Sequence, residues 1–425
     1  MHRQKKLSNG LNLITAPMAG TKTAVILVMV GTGSKYESRQ NNGISHFLEH
    51  MFFKGTKKRP NTQLIAGELD GVGAEYNAFT SKEYTGYWVK IDSAKIKLAA
   101  DIVSDMLLNS KFDPAEIERE KGAIIEEINM YHDNPMMYIE DVFETCLYGD
   151  TPAGWDVIGR KDNIKLFKRE DFIKYFKTQY CPENTVICLA GNINFKAEKL
   201  VKDYFVNFSK ADFKDKLAVK ENQTIPQVKL HYKKTNQANL SLGARTMPAG
   251  HKDEIVLKMI SIILGGSMSS RLFTEVRERR GLAYYVRTQA EHYTDSGYLT
   301  TQAGVPVDKI DEVIKVILNE YKKLTKTLVS KKELDRTKDL IRGRSTIQLE
   351  SSDSMASWYG RQAVLRKKIH SPEEFFKKID KISAQDIRGV AKEIFVSKGL
   401  NLAVIGPFRD EKKFGKDLNF SLIRR

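Results

Sequence analysis

The chain has 425 residues, 41% of them hydrophobic and 29% charged, with 69 Lys plus Arg against 53 Asp plus Glu for a formal net charge of +16. That mix builds a packed core and excludes a wholly disordered chain, and no apolar run reaches the roughly 18 residues a membrane span needs. Three cysteines, Cys146, Cys181 and Cys188, make no Cys-x-x-Cys pair, which excludes a disulfide framework and a thiolate metal site.

The basic start Met1-His2-Arg3-Gln4-Lys5-Lys6 is followed by a strand-like segment where a secretory signal would place its apolar region, so a cytoplasmic location is expected. Lysines are spread over helical segments and the linker instead of forming one basic stripe interleaved with aromatics. The positive charge therefore reads as a solvated surface, with no nucleic-acid partner.

In chain order, residues 24–31 form an apolar strand ending in Gly31, followed by a loop and an apolar helix around residues 44–52. Gly71-Val72-Gly73 marks a turn before a strand over 74–80, and a helix is predicted over 116–131. The first half closes with an apolar strand over 186–191. Residues 209–224 are charged, polar and poor in aliphatics, and read as a linker. The second half opens on a strand at 238–243 and continues with an apolar helix around 255–261. A helix over 270–279 follows, then strands 283–290 and 298–304 joined through Asp295-Ser296-Gly297. Its last strand, 400–406, ends in a glycine 215 positions after Gly191. This degenerate repeat, with strands and long helices mixed without regular βαβ alternation, predicts an α+β fold. Two homologous α/β-sandwich-like domains from an internal duplication are expected, at 1–208 and 225–425.

The segment His46-Phe47-Leu48-Glu49-His50 carries the strongest chemical signal. Two His at i and i+4 on a helix share a face, so both imidazoles can reach one metal ion with Glu49 close by. Ile44, Phe47, Leu48, Met51 and Phe52 cover the rest of the helix. A polar stripe on so apolar a helix must face a partner or a cavity, because unpaired buried polar groups are costly. Catalytic zinc usually takes three protein ligands. On the helix at 116–131, about 100° per residue puts Ile117, Ile124, Ile128 and Tyr131 on one face together with Glu120 and Glu127. Glu118 and Glu126 point away from it. Periodicity thus selects Glu127 or Glu120 as the third ligand over Glu126.

Two glycine-bearing stretches carry no nucleotide site. Gly31-Thr32-Gly33 lacks the third spaced glycine, and Gly265-Gly266-Ser267-Met268-Ser269 follows a helix and lacks Gly-Lys-Ser/Thr, so both read as turns.

The run Gly31-Thr32-Gly33-Ser34-Lys35-Tyr36-Glu37 and then residues 43–56 resemble the insulinase-like (pitrilysin-type) zinc peptidases, and within them the mitochondrial-processing-peptidase branch and its bacterial or archaeal relatives. Asn77-Ala78-Phe79-Thr80, Glu118-Arg119-Glu120 with Glu127, Tyr180-Cys181-Pro182-Glu183-Asn184, residues 265–272 and residues 276–284 extend the match over nearly the whole chain. The resemblance implies an inverted His-x-x-Glu-His motif with Glu127, 77 residues after His50, as third ligand to one Zn2+ per chain. It implies Glu49 as general base and acid, and Glu120 acting from just outside the ligand set. Asn77, Ala78 and Phe79 would pair with the substrate backbone, and Arg277 and Tyr284 would grip the substrate from the second domain. That domain has no His near 259–261, the repeat partner of His46, so it cannot bind zinc the same way.

The expected activity is a zinc metalloendopeptidase acting on unstructured peptides or presequence-like segments in an enclosed chamber. By the same resemblance, a homodimer or a heterodimer with a related chain closes that chamber. The alternative is a catalytically inactive peptide-binding or scaffolding subunit, although such members usually lose parts of the zinc motif. The loop at 149–159 departs from the family pattern, with Thr151 before Pro152 where many relatives have His, and Trp155-Asp156 also unusual.

Overall fold

Strand Thr23–Val30 is apolar along seven of its eight residues because both of its faces are covered. It lies inside the first of two sheets in the computed structural model, which describes residues 2–366 and 368–420. Six strands build that sheet: β1 (Arg3–Lys6), β2 (Asn12–Pro17), β3 (Thr23–Val30), β4 (Glu75–Thr80), β5 (Thr85–Asp92) and β6 (Thr185–Gly191), in the order β1-β2-β6-β3-β5-β4. The second sheet contains β7 (Gln227–Tyr232), β8 (Gln237–Thr246), β9 (Tyr285–His292), β10 (Gly297–Pro306) and β11 (Leu400–Gly406), ordered β7-β11-β8-β10-β9.

Leaving β1 aside, the two sheets have one topology. β2 pairs parallel with β6 as β7 does with β11, and every other neighbour in either sheet is antiparallel. β4 and β9 are the corresponding edge strands. This is the internal duplication of an α+β fold that the repeat predicts.

The chain divides into two compact units whose segments interleave. Unit 1 comprises Met1–Asn129, Asp156–Leu217 and Ser345–Pro372, and unit 2 comprises Met130–Trp155, Ala218–Arg344 and Glu373–Arg425. Each unit thus takes one segment from beyond the contiguous halves expected at 1–208 and 225–425. In unit 1 the helix Ser352–Leu365 lays Ala356 and Tyr359 on a sheet face made by Val25, Leu27, Met29, Val186 and Cys188. In unit 2 the helix Pro135–Tyr148 packs Ile139, Val142, Phe143 and Leu147 against Tyr298, Ala403 and Ile405. The physical reason is amphipathicity: each helix carries an apolar stripe, and each sheet has a second apolar face to cover. The stretch 208–226, which contains the expected linker, has no helix or strand.

Smaller differences lie at element ends. The hairpin pairs Gly297 with His292, so Gly297 is already in β10 and the turn is tighter than expected. The predicted helix at 270–279 is a wide π-helical turn over Phe273–Glu278, and Tyr284 immediately precedes β9.

Candidate metal centre

The helix Ile44–Met51 buries Ile44, Ser45, Phe47, Leu48 and Met51. Phe47 meets Phe172 edge-on at 4.8 Å between ring centroids, and Phe52, just past the helix, packs among Tyr87, Phe112 and Tyr180. This aromatic seating leaves His46 and His50 one turn apart on the remaining face, their ring centroids 4.7 Å apart.

The helix Pro114–Asp133 is polar overall and buries only Ile117, Glu120, Ile124 and Ile128. Glu127 lies beside that stripe with its side chain 27% exposed, while Glu118 and Glu126 are exposed and engage Lys121 and Asn129 on their own helix.

His46 Nε2 stands 3.7 Å from Glu127 Oε1, and His50 Nε2 stands 3.6 Å from Glu127 Oε2. One ligand atom from each of the three residues lies within 4.8 Å of the others. Ligands about 2.0–2.2 Å from a tetrahedral zinc ion sit about 3.3–3.6 Å apart, so each histidine–carboxylate separation is close to that range and the His, His, Glu donor set suits such an ion. Burial, helped by the neighbouring His50, pushes the His46 imidazole down to about 3 against a small pull from Glu120. His46 is therefore neutral at ordinary pH, the form a metal requires.

His50 Nδ1 lies 2.9 Å from Glu120 Oε1. A carboxylate can only accept, so Nδ1 carries the proton and the neutral ring keeps a lone pair on Nε2. Glu120 Oε2 in turn accepts from Lys54 Nζ at 2.5 Å. Burial alone would push the Glu120 carboxyl up, but the hydrogen bonds of His50 and Lys54 hold it below the usual range. Burial would likewise lower the His50 imidazole, but Glu120 and the other carboxylates outweigh it and hold the group above its usual value.

Glu49, on the same helix, accepts from Thr80 Oγ1 at 2.5 Å. Burial raises its carboxyl despite that hydrogen bond, a direction that suits a group passing protons near neutral pH. Glu127 is likewise raised, first by burial.

Thr80 ends β4, the edge strand that carries Asn77, Ala78 and Phe79. Ala78 is buried and Phe79 packs over Gly86, whereas Asn77 is exposed and its side-chain oxygen accepts the N–H of Ala78 at 2.8 Å. Within unit 2, Arg277 sits 5.9 Å from the Tyr284 ring centroid and 5.0 Å from that of Phe273. Tyr284 is 77% exposed.

Unit 1 therefore brings together His46, Glu49, His50, Glu120 and Glu127, with β4 joined through Thr80. Arg277 and Tyr284 are neighbours of each other in unit 2. Sequence reasoning did not single out Lys54, Thr80 or Glu37. Lys54 was visible as a cation four residues after His50, and Thr80 as the last residue of a motif already noted. The end of the unusual loop also bears on the metal-motif helix: Asn42 Nδ2 donates to the Asp156 carbonyl at 3.1 Å, and a side chain on Gly159 would strike Gly43.

The duplicated fold and this donor set define a class of metal-dependent peptidase, and the comparisons agree. The description "Insulinase (Peptidase family M16)" matches residues 13–160, and "Peptidase M16 inactive domain" matches residues 167–341. The chain belongs to this insulinase family of peptidases.

Among its relatives, the "Uncharacterized zinc protease YmxG" of Bacillus subtilis is 34% identical over 408 residues, covering 96% of this chain and 98% of that protein. An "Uncharacterized zinc protease" of Rickettsia bellii is 34% identical over 403 residues, covering 95% and 97%. The fold is shared with a protease from Helicobacter pylori, at a TM-score of 0.91, 24% identity and coverage of 96% of this chain and 99% of that one. It is shared as well with a chain of complex III2 from Candida albicans, at 0.81, 18%, and 98% and 99%. Both likenesses lie under 25% identity and show the fold alone, so function is argued from the site. Among the described residues no helix is long and apolar enough to cross a membrane.

Proposed function

We propose that this chain is a zinc endopeptidase that hydrolyses unstructured peptides, with one Zn2+ per chain on His46, His50 and Glu127. The observation that carries this reading is the convergence of those three donors within 4.8 Å of one another. Zinc, when bound, supplies Lewis acidity toward a peptide carbonyl and an attacking water.

The chain's own residues do the rest. Glu49, held by Thr80, takes the water proton and returns it to the leaving amine. Glu120, anchored by Lys54, fixes the His50 tautomer and ring orientation. Among the described residues β4 pairs with β5 on one side only, so its outer edge can take a substrate as an added strand. The N–H of Ala78 is capped by its neighbour's side chain instead of by β5, and a peptide carbonyl can take it over when Asn77 swings aside. Arg277 and Tyr284 act as donors to the substrate carbonyl and the developing oxyanion. The reading extends to a cytoplasmic homodimer whose chains enclose the substrate. The complete donor set argues against an inactive scaffolding role.

The test is elemental analysis of purified protein alongside cleavage of a quenched fluorescent, unstructured peptide. About one zinc per chain and chelator-sensitive cleavage restored by zinc are expected. Full activity in metal-free protein would overturn the proposal. Light scattering on the same sample tests the dimer.

A further inference from the structure

The metal-motif helix begins without a side-chain cap of its own. Its N-cap is Gly43, at φ 102°, and no side chain at that position bonds the first turn. The opening N–H groups of any helix lack intrahelical acceptors, and here they are met from outside. Glu37 Oε2 accepts from Gly43 N at 2.8 Å and from Asn42 Nδ2 at 2.9 Å, and Glu37 Oε1 accepts from Ser45 N at 2.8 Å. Glu37 is buried, 4% exposed.

The surroundings leave this turn little room. A Cβ on Gly43 would come within 2.9 Å of the Gly159 Cα, and one on Gly159 within 2.3 Å of the Gly43 Cα, so only two glycines allow the backbones to meet. Asn163 Nδ2 donates to the Asn42 carbonyl at 3.1 Å. Ser45 Oγ lies 2.7 Å from Tyr175 OH, which lies 3.0 Å from Thr32 Oγ1. The residue after Ser45 is His46.

From this geometry we infer that Glu37 is a positioning residue for the metal centre: its carboxylate sets the first turn of the helix and thereby aims His46 and His50. The inference rests on the zinc reading above. Three donors converge on two oxygens, and both oxygens must accept. A glutamine offers one oxygen, and its amide nitrogen would face an N–H in either orientation. The negative charge also suits the positive end of the helix dipole. An ion this deeply buried is costly to keep, and an apolar residue could fill the space, so the demand for a carboxylate comes from the turn it holds.

The experiment compares wild type, Glu37→Gln and Asn42→Ala as full-length chains. Hydrogen exchange over residues 42–52 is followed in metal-free protein, zinc Kd by chelator competition, the absorption bands of the cobalt-substituted protein, and kcat separately from KM. Glu37→Gln is expected to exchange faster over 42–52 and to lose roughly tenfold to a hundredfold in zinc affinity. Its cobalt bands should shift and kcat should fall with KM within about twofold. Asn42→Ala, which removes one donor of three, should show the same changes to a smaller degree. A folded Glu37→Gln with wild-type exchange, zinc Kd and cobalt spectrum overturns the inference. If Glu37→Gln does not fold, Asn42→Ala decides, and wild-type values in it overturn the inference equally. Absence of zinc binding by wild type would instead sink the zinc reading, while the exchange measurement still reports on the helix.

Discussion

His50 and Glu120 are 70 positions apart in the chain and meet at 2.9 Å, ring nitrogen to carboxylate oxygen. The contact turns the other ring nitrogen, Nε2, toward Glu127, so one hydrogen bond decides both the tautomer and the aim of a ligand. Glu120→Gln should therefore weaken zinc binding roughly tenfold to a hundredfold. Lys54→Met, which only loosens Glu120, should do so less. Chelator competition measures both, and an unchanged Kd in Glu120→Gln would contradict the role given to this contact.

The adjacent carboxylates Glu126 and Glu127 offer a contrast at constant chemistry. Glu127 faces the two histidines, whereas Glu126 is exposed. Glu127→Gln should lose zinc and activity and Glu126→Gln should keep both, by elemental analysis and peptide cleavage. The opposite ranking would mean that the ligand has been misassigned.

Thr80 touches Glu49 and none of the three ligands through its hydroxyl. Thr80→Val should lower kcat by roughly tenfold, a fraction of what acid–base catalysis contributes, with zinc content unchanged. Thr80→Ser should recover most of the rate. Zinc loss in the valine variant would show that the threonine supports the helix and not the base.

In unit 2, Tyr284 is 77% exposed beside Arg277. Tyr284→Phe should lower kcat by about tenfold to a thousandfold if its hydroxyl stabilises an oxyanion, with zinc content unchanged. Arg277→Ala should also raise KM. Wild-type kinetics in both would leave Arg277 and Tyr284 with no part in the reaction.

Burial raises the Glu37 carboxyl to about 6 despite the donors at Gly43, Ser45 and Asn42, against 4.5 for the free group. Below about pH 4.5 the group is protonated whether folded or unfolded and costs nothing. Between about 4.5 and 6 the folded chain holds the proton more tightly, so stability declines as pH rises, by roughly 2 kcal/mol in all. Glu37→Gln lacks this contribution. Across pH 4–8, the stability of metal-free wild type relative to the variant should fall through that window and then level off. A difference independent of pH would mean the carboxyl does not titrate there.

Much of the chemistry was legible in the sequence because it is local. An i,i+4 histidine pair and a seven-residue glutamate spacing are fixed by helical geometry alone, and the exposed Glu118 and Glu126 follow from the same arithmetic. The duplication was legible too, since β6 and β11 end in matching glycines. What escaped depends on long-range packing. Nothing near Glu37 in the sequence says that its carboxylate reaches residue 45, and the close approach of Gly43 and Gly159 joins segments 116 positions apart. The interleaving of the two units escaped for the same reason, because an amphipathic helix does not state which sheet it covers.

That interleaving has a consequence for how the chain can be divided. A fragment cut at 209–224 would keep the helix Pro135–Tyr148 but not the sheet it covers, leaving Ile139, Val142, Phe143 and Leu147 in water. At about 1.5–3 kcal/mol for each large side chain, the exposure rivals the whole stability of an ordinary domain. The same fragment would lack Ala356 and Tyr359 over its own sheet. Neither half of the gene encodes a self-sufficient product, so separately expressed halves should precipitate alone and recover solubility when made together. A protease that nicks the linker in the finished molecule should release no free half.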